Sequence, residues 1–277
     1  MRLDSHQHFW KYDPIQYGWM KPEWPIRRDF LPANFQELQQ CGFDGSIAVQ
    51  ARQSLEESHW LLSLADEAVS VRGVVGWVDL RSDRVEESLA VLAKHPRFVG
   101  VRHVVQDEPD DAFMLQPDFL RGISRLKQFK LTYDILIFPK QLPAAIELAR
   151  KFPEQPFVLD HLGKPCIRDK TISPWREHIV ELARNPNVFC KVSGMITEAA
   201  WTTWKPDDLK PYLEVAFEAF GEKRLMYGSD WPVCLLAGTY VRMFETIDNY
   251  AQQLGADGRA RFFGGNAARF YGIESSS

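Results

Sequence analysis

The sequence predicts an α/β fold, a (β/α)₈ TIM barrel that takes in residues 1–277 as one domain. Three observations predict it. The chain has 277 residues, close to the roughly 250 that one such barrel uses. Short apolar runs alternate with longer amphipathic stretches, the pattern of a parallel sheet covered by helices. Reactive polar side chains recur where the apolar runs end, and that is the face on which barrels of this kind carry their active sites.

Eight runs have the β-branched or apolar richness of buried parallel strands. They are Arg2–His6, Ser46–Gln50, Gly73–Val78, Phe98–Val104, Leu131–Ile137, Phe157–His161, Val188–Val192 and Arg224–Ser229. Eight repeats favour closure over an open sheet. Helix signals fall between them. Ser54 with Glu57 forms a capping-box pattern ahead of Trp60-Leu61-Leu62. Ser173-Pro174 reads as an N-cap followed by proline at the first helical position. Pro139 and Pro143 bracket the start of a helix that ends near Lys151. The Gly264-Gly265-Asn266 segment reads as a turn before the last helix. One connection is too long for an ordinary loop. Phe9 to Pro32 holds Trp10, Tyr12, Tyr17, Trp19, Trp24 and four prolines. Long loops in compact domains are usually functional, and this one follows the first strand, so it should cover the mouth of the barrel.

Composition removes several classes of function. The net charge of -4 comes with no basic run, which argues against a nucleic-acid footprint. No apolar stretch approaches the roughly 20 residues of a membrane helix. The chain opens on Leu3-Asp4-Ser5-His6 with no apolar leader, and Cys41, Cys166, Cys190 and Cys234 form no CxxC pair. Reduced thiols and a cytoplasmic setting are expected. The serines at 275–277 are the one segment expected to be disordered. No phosphate-binding glycine loop occurs.

The strand ends carry the chemistry. His6-Gln7-His8 places two imidazoles on one side of the first strand, with Asp4 one step below. Such a pair can chelate a divalent ion or handle protons. Gln50 and Arg52 follow the second strand, Trp77 and Asp79 the third, Arg102-His103 the fourth, Asp160-His161 the sixth, and Ser229-Asp230-Trp231 the eighth. Charges inside apolar strands are costly unless paired. Asp4, Asp134 and Lys191 fit ion pairs inside the barrel. Asp79 and His103 fit the helix layer as well as the interior, because alternation turns one of each neighbouring pair outwards. His59, His95 and His178 lie in helical patterns and read as surface or packing residues.

These residues resemble the amidohydrolase superfamily. The segments Gly73-Val-Val-Gly-Trp-Val-Asp-Leu80, Gly100-Val-Arg-His-Val-Val-Gln-Asp-Glu-Pro109, Leu159-Asp-His-Leu-Gly-Lys-Pro165, Cys190-Lys-Val-Ser-Gly194 and Tyr227-Gly-Ser-Asp-Trp-Pro-Val233 narrow it to the sugar-lactonase branch, which includes fuconolactonases and rhamnonolactonases. The resemblance implies a distorted barrel and hydrolysis of an aldonolactone by water. It assigns Asp230 as the carboxylate that activates water, His161 as a further catalytic group, and Arg102 as the contact to the lactone. His6, His8, His161 and Asp230 would surround one divalent ion, zinc first, which some members dispense with. No lysine ends strand four to be carbamylated, so a two-metal centre is not expected. Gln50, Arg52, Trp77, Arg102, His103 and Trp231 are the expected substrate contacts. The expected partner is a small sugar lactone, with a homodimer as the assembly. The alternative is a metal-dependent decarboxylase of an aromatic acid, with Arg102 holding its carboxylate.

Overall fold

The computed structural model describes residues 1–274; the serine end at 275–277 lies outside the described residues. Eight parallel strands form one sheet in chain order. They are β1 (Leu3–Gln7), β2 (Gly45–Val49), β3 (Val71–Gly76), β4 (Phe98–Val104), β5 (Thr132–Leu136), β6 (Phe157–Leu159), β7 (Val188–Val192) and β8 (Leu225–Tyr227). All eight expected runs are strands. The differences lie at their ends. β3 stops before Trp77, β6 before Asp160 and β8 before Gly228. The residues of interest therefore sit just past the sheet, where the pleat no longer fixes their direction. No helix among the described residues is long and apolar enough to cross a membrane.

The sheet closes between β8 and β1. His8 N–H donates to the Trp231 carbonyl at 2.7 Å, and Asp230 N–H donates to the His6 carbonyl at 2.8 Å. Asp4 was expected in an ion pair, but its Oδ1 instead accepts from the Ser229 and His6 backbone N–H groups at 2.9 and 3.1 Å. The Ser5 hydroxyl donates to the Tyr227 carbonyl at 2.6 Å. Side chains thus complete a seam that backbone pairing leaves short. Gly228 permits the close approach, because a Cβ there would lie 2.7 Å from that of His6.

The helix signals hold with adjustments. Ser54 caps the helix Leu55–Glu67 by accepting from the Glu57 N–H. The Glu57 carboxylate does not return to the cap; its Oε2 accepts from the Ala51 and Arg52 N–H groups at 2.9 and 2.7 Å. The helix Trp175–Ala183 starts after Pro174, so the proline and not Ser173 occupies the cap position. The helix Leu142–Lys151 ends where expected, with Pro143 in its first turn. The expected turn before the last helix is present as a kink: within Arg261–Gly265 the backbone leaves helical dihedrals at Phe263 and Gly264 before Asn266–Tyr271 begins. A Cβ at Gly264 would lie 2.5 Å from the Met1 carbonyl oxygen, so the kink packs directly on the start of β1.

Two apolar clusters hold the fold. The larger lies between the sheet and its helices. The smaller fills the bottom of the barrel, where Leu3, Ile47, Val75 and Met226 meet Phe270 and Tyr271 of the last helix, Asn266–Tyr271. Above that plug lies a layer of charge. Lys191 Nζ is 2.5 Å from Asp134 Oδ2 and 3.0 Å from Asp160 Oδ1, and Arg102 Nη1 is 3.0 Å from Asp160 Oδ2. The Tyr271 hydroxyl donates to Asp134 Oδ2 at 2.8 Å. The expected pairing of Asp134 with Lys191 is present.

Removing Lys191 would leave Asp134 without its cation and Asp160 with Arg102 alone as its charged partner among lysines and arginines. Lys191→Met should cost about 3–5 kcal/mol of stability, the usual penalty for halving a buried pair. Asp134→Asn should cost less, because Lys191 keeps Asp160. Denaturant titration of both variants checks this ordering; equal stabilities for parent and Lys191→Met would remove the charge layer from the account of the fold.

Candidate active site

Four side chains from three places converge at the top of the barrel. His6 comes from β1 and His8 from the residue just past it. His161 comes from the turn after β6, and Asp230 from the segment after β8. Asp230 Oδ1 lies 3.3 Å from His8 Nε2, 3.8 Å from His6 Nε2 and 4.0 Å from His161 Nε2. The two Nε2 atoms of His6 and His8 are 3.2 Å apart. All four residues are buried.

Each imidazole is oriented by its other nitrogen. His8 Nδ1 is 2.7 Å from the Val49 carbonyl. A carbonyl only accepts, so Nδ1 carries a proton and Nε2 is the nitrogen turned to the cluster. His161 Nδ1 is 2.9 Å from the Ser193 hydroxyl. His6 Nδ1 is 3.3 Å from Asp160 Oδ1 and 3.2 Å from Lys191 Nζ. The buried charge layer therefore supports His6 from beneath. Gly194 makes room for His161, since a Cβ there would lie 2.5 Å from its Nδ1.

Burial sets the protonation states. It pushes His161 down to about 4 against the pull of Asp230 and Asp160. It also holds His6 well below the ordinary imidazole range, although Asp160 opposes it. Burial alone would raise Asp230, but His161, His8 and His6 outweigh it and hold the carboxyl below its usual range. Asp160 is held well below its usual range in the same way: Lys191, His6 and Arg102 overcome its desolvation. At neutral pH the site is an ionised carboxylate beside the neutral imidazoles of His6 and His161. That is a base with lone pairs beside it, and also a donor set suited to zinc. His6, His161 and Asp230 bring ligand atoms within 4.8 Å of one another. Tetrahedral zinc with bonds of about 2.0–2.1 Å spaces its ligands about 3.3 Å apart, close to the His6–His8 and His8–Asp230 separations.

Above the cluster opens a cavity of about 690 Å³. His8, Arg102, His161 and Asp230 line it, and Trp19, Trp24 and Trp201 form its aromatic rim. Trp19 and Trp24 meet edge to face with ring centroids 6.2 Å apart, and Trp24 meets Trp201 at 5.6 Å. The long first loop thus covers the mouth as expected. Of the six expected substrate contacts, Arg52 and Arg102 line the cavity. Gln50 is buried with its amide 3.4 Å from the Arg102 carbonyl. Trp77 points its indole N–H at His103 Nδ1, and His103 is tied to Glu108 at 2.7 Å and stacked on Phe113. Trp231 is stacked on Phe35 in the core. None of these four is among the residues that line the cavity, and each is held by the packing or hydrogen bond just given. Sequence reasoning missed Lys164, Glu198 and Trp201, which do line it. Lys164 stands three residues after His161 in a segment already singled out; Glu198 and Trp201 carried no signal.

A family model described as Amidohydrolase matches residues 3–273. An L-fucono-1,5-lactonase of Burkholderia multivorans is 40% identical, over 99% of this chain and 96% of that protein. An L-fucono-1,5-lactonase of Burkholderia ambifaria is 38% identical, over 100% of this chain and 97% of that one. A crystal structure of a Burkholderia multivorans amidohydrolase with bound zinc superposes with a TM-score of 0.95 at 39% identity, covering 99% of this chain and 100% of the other. With a parallel eight-stranded barrel and a histidine–aspartate cluster at its mouth, the chain belongs to the amidohydrolase family.

Proposed function

We propose that this chain is a lactonase that opens sugar lactones with water, L-fucono-1,5-lactone first, and that Asp230 is its base. The observation that carries the reading is the convergence of His6, His8 and His161 on the Asp230 carboxylate at the floor of a cavity. The full-length similarity to L-fucono-1,5-lactonases supplies the substrate class.

A lactone is an activated ester. It needs a positioned water, a base, and positive charge near its carbonyl oxygen. Asp230 takes the water proton. Its backbone is fixed by the bond to the His6 carbonyl, so the carboxylate is held and not floating. Arg102 places a guanidinium at the cavity floor, anchored by Asp160. His161 orients the water against Asp230. Arg52 and the tryptophan rim supply a hydrogen-bonding cation and flat apolar faces for the sugar. A divalent ion, zinc first, held by His6, His8, His161 and Asp230, would lower the pKa of water and polarise the carbonyl when bound. Four free cysteines suit a cytoplasmic setting.

Asp230→Asn keeps size and removes the base. Its kcat on L-fucono-1,5-lactone should fall by at least about a hundredfold with little change in KM. A folded variant with parental turnover removes Asp230 from the chemistry. Activity confined to aromatic acids, with carbon dioxide released, would replace lactonase by decarboxylase.

Metal content gives an independent check. Zinc titrated into chelated protein should saturate at one equivalent, and Ser193→Ala, which frees His161 Nδ1, should weaken binding about tenfold. Two equivalents, both needed for activity, would contradict the single-site reading. In the chelated protein the pH profile of kcat/KM should show no inflection near the ordinary histidine value of about 6.5, because burial has moved His161 to about 4. A step at the ordinary value would place a different histidine in control.

A further inference from the structure

Four consecutive residues after β6 run left-handed: φ is 53° at His161, 54° at Leu162, 68° at Gly163 and 52° at Lys164. Only glycine adopts this region freely; the other three carry a Cβ that resists it. Such segments persist where their surroundings over-determine them, and they gather at functional sites. Here the consequence is geometric. Lys164 N–H donates to the His161 carbonyl at 2.8 Å, closing a three-residue turn. At three residues per turn, positions i and i+3 lie on the same side. His161 and Lys164 both line the cavity, while Leu162 between them is buried in the core.

Lys164 is also the least committed of three cations in the lining. Arg102 lies 3.0 Å from Asp160, and Arg52 lies 3.6 Å from Glu57; both carboxylates are fully buried. Lys164 Nζ lies 3.9 Å from Glu198 Oε1, a half-buried carboxylate on the same wall. It also meets the Phe138 ring, 5.4 Å from Nζ. An ammonium has three N–H donors, and a carboxylate at 3.9 Å and a ring face leave them open to a substrate oxygen. Among the imidazoles, His8 Nδ1 is held by Val49, His161 Nδ1 by Ser193, and the Nε2 atoms of His6 and His8 lie 3.2 Å from one another, while His161 Nε2 is left to the water beside Asp230.

We propose that Lys164, paired with Glu198, is a catalytic residue that donates the proton to the ring oxygen as the lactone opens. The inference rests on the lactonase reading above. The water oxygen bonds to the carbonyl carbon and its proton passes to Asp230. The bond from that carbon to the ring oxygen then breaks, and its electron pair stays on oxygen, which takes a proton from Lys164 Nζ. The neutral amine regains a proton from Asp230 through solvent in the cavity. The sum is lactone plus water giving the hydroxy acid.

The test compares Lys164→Met, Lys164→Arg and Lys164→Asn with the parent and with Asp230→Asn, on L-fucono-1,5-lactone, with circular dichroism melts alongside. Asparagine tolerates the left-handed backbone and serves if the methionine variant does not fold. Folded Met and Asn variants should lose kcat by at least about a hundredfold while KM changes little. Arginine keeps the charge but does not release a proton in proteins, so it should not restore turnover. Parental turnover in Lys164→Arg reduces the residue to a fixed charge and overturns the inference, as does parental turnover in the Met or Asn variant. A parent that opens no aldonolactone sinks the lactonase reading and this inference with it. An active parent with unimpaired Lys164 variants sinks this inference alone.

Discussion

Two carboxylates and two cations buried in the middle of the barrel govern what the top of it can be. Asp134, Lys191, Asp160 and Arg102 come from β5, β7, the turn after β6, and β4. Each has almost no contact with solvent. Unpaired, any one of them would cost several kcal/mol; as an alternating chain they compensate one another. Asp134 is still pushed up to about 6 by burial despite its contact with Lys191. The chain runs across the barrel, so satisfying it fixes the relative heights of those elements. It also ends at function. Asp160 faces His6 Nδ1 on one side and Arg102 on the other. The same interaction that neutralises the core therefore holds an imidazole against the Asp230 cluster and a guanidinium at the cavity wall.

Closure of the barrel does the rest. Asp230 and His6 belong to opposite ends of the chain and meet only because β8 returns to β1. The seam is made by a few backbone bonds near the mouth, with Asp4 and Ser5 supplying the others. Asp230 sits in the left-handed region, with φ of 57°. His161 does too, so two cluster residues are held in backbone states that side chains rarely adopt. A site assembled this way is set by the frame and not by the residues' own preferences.

Most strands were legible because they are buried on both faces and so are largely apolar; β1, Leu-Asp-Ser-His-Gln, is the exception and stood out by its polar residues. The cluster residues were legible because a histidine or aspartate closing such a run is out of place. What failed was direction. Period two says which residues share a side only while the strand lasts. β3 ends at Gly76, so Trp77 follows its own course into a pairing with His103. Trp231 follows left-handed Asp230 and turns down into Phe35, away from the cavity. Asp4 looked like half of an ion pair, because the sequence gives no sign that a broken seam needs its carboxylate as a backbone acceptor. Glu57 looked like a capping-box partner, and the cap exists. The carboxylate serves the Ala51–Arg52 loop, a choice between two sets of N–H groups that only tertiary contact decides.

The aromatic loop adds the condition under which these charges matter. Trp10, Tyr17 and Phe30 are buried and anchor the loop on the barrel, whereas Trp19 stays 42% exposed at the rim. Rings of the loop and of Trp201 form a wall around an opening whose floor is an ionised carboxylate. A sugar ring bound there would displace water from between those rings and the charged floor. Coulombic interactions strengthen as water leaves. Arg102, Lys164 and Asp230 would then act on the lactone with a force that an open surface site could not supply. The wall and the buried charge layer are complementary: the layer holds the charged groups still before the substrate arrives, and the wall makes their charges count once it has.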